Sequence, residues 1–123
     1  MIKGIVNANL EGILRLVVAA ADGRQVPVDA IVDTGFSAYL TLQPAVIAAL
    51  RLKWLGREEG ILADGRVDLF DVYDATIIWD DQPRTIEVDA ADAQSLVGMG
   101  LLERFSLRMD VVRGGEVTIS PLA

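Results

Sequence analysis

The chain has 123 residues, 52% of them hydrophobic, with 18 acidic against 11 basic side chains and a net charge of −7. That length and apolar content suit a single globular domain over residues 1–123, while the negative charge opposes a nucleic-acid partner. The chain has neither His nor Cys, which excludes Ser-His and Cys-His nucleophilic catalysis and ordinary structural zinc sites.

No segment resembles G-x-x-x-x-G-K-[ST] or G-x-G-x-x-G, so a phosphate loop is not expected. Any enzyme built on this chain works with carboxylates, and we expect neither cofactor nor metal. The longest apolar run, Leu16 to Ala21, falls far short of the roughly 18 to 20 residues of a membrane span. No basic segment leads into an apolar core and cleavage site at the N-terminus. With no disulfide to need an oxidising compartment, the expectation is a cytoplasmic protein with no membrane partner.

In chain order, Ile2–Leu10 and Ile13–Ala20 predict a first pair of strands, followed by a turn at Ala21-Asp22-Gly23-Arg24. Val26–Val32 is a third strand and Tyr39–Leu42 a short fourth. Over Gln43–Leu52 the period changes. Pro44 suits a first helical turn, and Val46, Ile47 and Leu50 share one face, which predicts a short helix. From Gly56 the pattern returns to strand. Ala63-Asp64-Gly65-Arg66 is a hairpin turn between Gly60–Leu62 and the run Val67–Trp79. Asp80-Asp81-Gln82-Pro83 turns the chain back into Arg84–Val88. Leu96–Leu102 is a strand that breaks at glycine into a brief helical turn. Ser106–Val112 and Glu116–Ser120 form a last hairpin across Arg113-Gly114-Gly115. The sum is an all-β chain with one or two short helices, closing fully or partly into a barrel.

Within that order, Asp33-Thr34-Gly35 stands out. It ends the apolar run Ala30-Ile31-Val32 and opens onto Phe36-Ser37-Ala38-Tyr39-Leu40. A carboxylate at the end of a buried strand costs several kcal/mol to desolvate unless it is paired or hydrogen-bonded. Such placements concentrate where the charge has a task. Thr34 supplies a hydroxyl for bracing, and Gly35 a backbone with no Cβ to block close approach.

Apolar-Asp-Thr-Gly at 31–35 and apolar-apolar-Gly at Leu96-Val97-Gly98, with a hairpin between them, resemble the retropepsin-like aspartic proteases, particularly the small single-domain bacterial ones. The resemblance covers nearly the whole chain, and its anchor residues lie 98 − 33 = 65 positions apart. It implies that the second anchor crosses behind the loop at Asp33 and leads into a short helix at Leu101–Phe105. The intervening hairpin would be a flap over substrate, tipped by Ala63, Asp64 and Gly65. Two positions depart from the family pattern. Phe36 replaces the usual Ala or Ser and would crowd the substrate cleft, and Gly100 stands where a polar residue is common.

The resemblance further implies two aspartates, while the chain holds one Asp-Thr-Gly, so the active form would be a homodimer with two-fold symmetry. Two carboxylates forced together cannot both ionise, so one keeps a proton. The charged Asp33 would activate a water, and its protonated mate would polarise the scissile carbonyl. The apolar terminal segments, Ile2 to Val6 and Val117 to Leu122, are expected to pair across the two-fold.

Each residue also has a plainer account. Asp33 could cap a turn, and a solvent-facing Ser37 is as reasonable as one lining the cleft. The pairs Asp80/Asp81 and Asp89/Asp92 lack the spacing of a calcium loop and read as solvated turns. Trp54 and Trp79 suit a core or an interface better than stacking on bases. Three functions stand in order: a homodimeric aspartic endopeptidase acting on peptides or proteins, a dimeric peptide-binding or assembly module of the same fold, and a structural dimerisation domain.

Overall fold

A computed structural model describes residues 1–62 and 64–123; Ala63, the first residue of the expected hairpin tip, lies outside the described residues. The strands are β1 (Ile2–Val6), β2 (Gly12–Ala19), β3 (Gln25–Val32), β4 (Leu40–Leu42), β5 (Lys53–Ile61), β6 (Val67–Trp79), β7 (Gln82–Ala90), β8 (Leu96–Val97), β9 (Phe105–Met109) and β10 (Glu116–Pro121). Two short helices, α1 (Pro44–Leu50) and α2 (Met99–Leu102), complete the described elements.

The strands join in the order β5-β6-β7-β4-β8-β3-β2-β1-β10-β9, and a further pairing of β2 with β6 turns the middle of the sheet into a ring. Alternation decides which face is buried. In β2, Leu14, Leu16 and Val18 point inward and Arg15 outward. Ile77 and Trp79 of β6, Ile86 and Val88 of β7, and Val117 and Ile119 of β10 converge on the same core. Each fully buried aliphatic side chain of this kind contributes about 1.5–3 kcal/mol.

Helix α1 starts at Pro44, whose missing N–H is no loss there, and closes at Arg51 in a left-handed conformation with φ 54°. Ile47 and Leu50 bury its inner face, as the periodicity predicts.

Several boundaries differ from expectation. The hairpin after β6 turns on Asp80 and Asp81 alone, both at positive φ (51° and 64°), so Gln82 and Pro83 belong to β7. Val111 and Val112 are exposed and lie beyond the end of β9. Helix α2 begins at Met99, and Phe105 opens a strand instead of ending a helix. The terminal strands also behave differently from the expected cross-dimer pairing. β1 and β10 pair with each other within the chain, from Ile2↔Ile119 to Ile5↔Glu116, and β10 is flanked on its other side by β9. Their hydrogen-bonding edges are largely used, because adjacent antiparallel strands of one chain meet without the entropy cost of a second molecule. The outer strands of the described sheet are β5 and β9. No described helix is long and apolar enough to cross a membrane.

Candidate active site

Asp33 follows the last residue of β3, where the chain leaves the sheet. Its backbone N–H donates to Val97 O at 2.9 Å, tying it to β8, which runs parallel to β3 with Ile31 opposite Leu96 and Val32 opposite Val97. Its Oδ1 accepts the Gly35 N–H at 2.9 Å, and the Phe36 N–H donates to the Asp33 carbonyl at 3.2 Å. The loop is thus a tight turn folded around its own carboxylate, which is half-buried. The turn-capping account of Asp33 describes Oδ1. Its Oδ2 has no donor among the described residues. Thr34 and Gly35 are exposed, as is Ser37.

The second anchor crosses behind this loop. Gly98 N–H donates to Tyr39 O at 2.9 Å, Met99 N–H to Phe36 O at 2.7 Å and Gly100 N–H to Ala38 O at 3.0 Å. Residues 36–39 and 98–100 therefore lie backbone against backbone, and glycine is a steric requirement. A Cβ on Gly98 would sit 2.2 Å from Ala38 O and 2.6 Å from a ring carbon of Phe36. One on Gly100 would sit 2.9 Å from Ala38 O. Gly100 is explained by this close approach, and the Phe36 ring rests over the space that Gly98 leaves.

Three supports escaped the sequence reading. Thr41, buried in the short strand β4, accepts the Leu96 N–H on its hydroxyl at 2.9 Å and so pins β8. A threonine between two buried leucines was the available signal. Arg84 of β7 places its guanidinium 5.8 Å from the Tyr39 ring centroid and donates to Leu101 O (3.3 Å) and Gly100 O (3.4 Å), satisfying carbonyls at the end of α2. Asp89, expected in a solvated turn, instead lies on β7, half-buried and opposite Thr41. Burial first, then the neighbouring charges of Glu58 and Glu87, push its carboxyl up to about 6.

The β5–β6 hairpin turns at Asp64 and Gly65. Gly65 has φ +85°, its N–H donates to Leu62 O, and Asp64 caps and pairs with Arg66. Ile61, Leu62, Val67 and Leu69 near its tip are exposed, Ile61 to 81%. Between this hairpin and Phe36 lies a cleft of about 540 Å³ that also reaches Asp89 and Asp92. Ser37, Thr34 and Asp33 are outside its lining. Trp79 is core, packed edge-on against Phe105 at 5.7 Å, whereas Trp54 is exposed on β5 and bonds Asp71. No group of three or more potential metal-ligating side chains occurs among the described residues.

No protein-family model matches the chain, and no curated protein matches it. Among solved structures, the chain is similar to a retropepsin-like aspartic protease from Rickettsia conorii, with a TM-score of 0.64 and 21% sequence identity. The match covers 99% of this chain and 91% of that one. The fold is shared. At this identity, the likeness is one of architecture: a mostly-β chain with two short helices arranged as in that protein.

Proposed function

We propose that the chain is an aspartic endopeptidase whose active form is a homodimer with a retropepsin-like barrel in each copy. Asp33 and Asp33 of the partner subunit would face each other across the two-fold and share one proton. The ionised carboxylate takes a proton from a bound water, and the water oxygen attacks the peptide carbonyl while the protonated carboxyl donates to its oxygen. The observation that carries this reading is the Asp33 turn itself. Its backbone is fixed by Val97 O, one carboxylate oxygen is held by Gly35, and the other is left for water. Exposed Thr34 is the brace between copies, and the β5–β6 hairpin closes over substrate. The fold shared with a retropepsin-like protease supports the same chemistry.

A dimeric peptide-binding module without turnover is the second reading, and Phe36 favours it, because its ring lines the cleft where the family pattern has a small Ala or Ser. Digestion of a peptide library by wild type and Asp33→Asn separates the two. The endopeptidase reading expects kcat/KM to fall by about 10²–10⁴-fold or more in the variant. Mixing equal amounts of the two proteins, with exchange of subunits, should leave about a quarter of the activity, since only wild-type pairs hold two carboxylates. Equal cleavage by variant and wild type, or a mixture retaining one half, overturns the shared dyad.

A further inference from the structure

The cleft beside Phe36 has two kinds of wall. Phe36 from the Asp33 loop and Ile61, Leu69 and Phe70 from the hairpin give it apolar sides. Asp68, Asp89 and Asp92 line it as well, and among the described residues neither Lys nor Arg does. Among the acids elsewhere on the surface, Asp22, Asp29, Asp64 and Asp71 each pair with an arginine. Asp68, Asp89 and Asp92 take part in no ion pair among the described residues. Asp89 is the most demanding of them, being half-buried with Glu58 and Glu87 near enough to repel its charge. A desolvated carboxylate beside other acids is costly, and a cation entering the cleft would relieve that cost.

We propose that this cleft is a subsite for a basic side chain of a peptide substrate, Lys or Arg, with Asp89 as the specificity-determining residue. This rests on the endopeptidase reading for what the bound peptide then undergoes. The aliphatic stem of the basic side chain lies along Phe36, Leu69 and Phe70 while its charged head reaches Asp89 and Asp92. A purely apolar side chain of equal length covers the same walls but leaves Asp89 desolvated and unpaired. An acidic one meets like charge, so the cleft discriminates against it by repulsion.

The test separates binding from cleavage. A positional-scanning peptide library is passed over immobilised Asp33→Asn protein, and retained peptides are compared with those retained by Asp33→Asn/Asp89→Asn. The expected result is Lys or Arg enriched over norleucine at one position by about tenfold, falling toward parity when Asp89 is replaced. Asp89→Glu should keep the preference, which a merely structural role for Asp89 would not require. Thermal melts of each variant check that it folds. Wild-type protein is then given the matched Lys and norleucine peptides, and the same ratio should appear in kcat/KM. Basic enrichment that depends on Asp89, without cleavage by wild type, upholds the subsite and overturns the endopeptidase reading. Cleavage with no basic preference does the reverse. Enrichment that survives loss of Asp89, or retention of no peptide at all, overturns the subsite.

Discussion

The crossing at residues 31–40 and 95–102 and the hairpin formed by β5 and β6 are built on opposite terms. At the crossing, backbone meets backbone with no room for a Cβ on Gly98, and three successive N–H groups from residues 98–100 are spent holding residues 36–39. At the hairpin tip, Gly65 has open space around it, and apolar side chains at 61, 67 and 69 face solvent. Under the proposed function, a carboxylate that meets a partner's within hydrogen-bonding reach would need a frame of the first kind. A hairpin that closes on peptides, as proposed, would need the second, where few buried contacts oppose movement.

The two glycines give the sharpest way to break this contrast. Gly98→Ala puts a methyl 2.2 Å from Ala38 O, a backbone atom that cannot swing aside, and also against the Phe36 ring. It is expected to cost about 3 kcal/mol or more, with loss of the Asp33 turn. Gly65→Ala meets no atom and suffers only from its positive φ, at a cost of about 1–2 kcal/mol. Urea unfolding of both variants measures the difference. Equal losses would mean that the crossing has slack and that the glycine pattern is not what fixes Asp33.

The crossing was also the more legible of the two in sequence. Asp33-Thr34-Gly35 and Leu96-Val97-Gly98 both sit at strand ends, and Gly98 stands where the backbone leaves no room for a Cβ, whereas one on Gly35 would meet only the Asp33 Oδ1 at 3.2 Å. The hairpin's turn was readable too, since Gly65 marks it, but its first arm starts at Lys53, ahead of the expected Gly56, and its register shifts between Trp54 and Gly56. What escaped was everything decided by a distant partner. Arg84 matters through carbonyls 16 and 17 residues further on, and Thr41 through an N–H 55 residues further on, and nothing near either residue encodes that. Asp89 failed for a related reason. A lone Asp before Ala-Ala-Asp looks like a turn, and only its pairing with β4 and β6 shows that it ends a strand inside a cleft. The paired terminal strands are the same lesson at larger scale, because edge or interior position belongs to the assembled sheet.

Asp89 offers an intermediate effect with a defined sign. Its carboxyl is pushed up to about 6, from 3.8, so the folded chain holds this proton more tightly than the unfolded chain does. The resulting stabilisation is complete below about pH 4 and is lost as pH rises through about 6. Asp89→Asn carries no such loss. The variant should therefore be more stable than wild type at pH 7–8, by roughly 1–2 kcal/mol once solvent screening of a half-exposed group is allowed for. The gap should close toward pH 4. Denaturation midpoints measured across that range check it, and a gap that is flat with pH would mean that Asp89 is not desolvated.

The smallest change in stability belongs to the hairpin's apolar tip and tests what that surface is for. Ile61 is 81% exposed, so Ile61→Ser removes little buried area and should move unfolding by less than about 0.5 kcal/mol. If the hairpin closes over substrate, the same change removes apolar contact made only when a peptide is bound. KM for a cleaved peptide should then rise about three- to tenfold, the loss expected from one or two buried methylenes, with kcat moving less. A melt and a Michaelis curve on one preparation therefore read the two roles separately. Loss of stability with unchanged KM would place Ile61 in a fold contact. Unchanged values of both would leave the hairpin's apolar tip outside the substrate's reach and return the contrast between the two regions to packing alone.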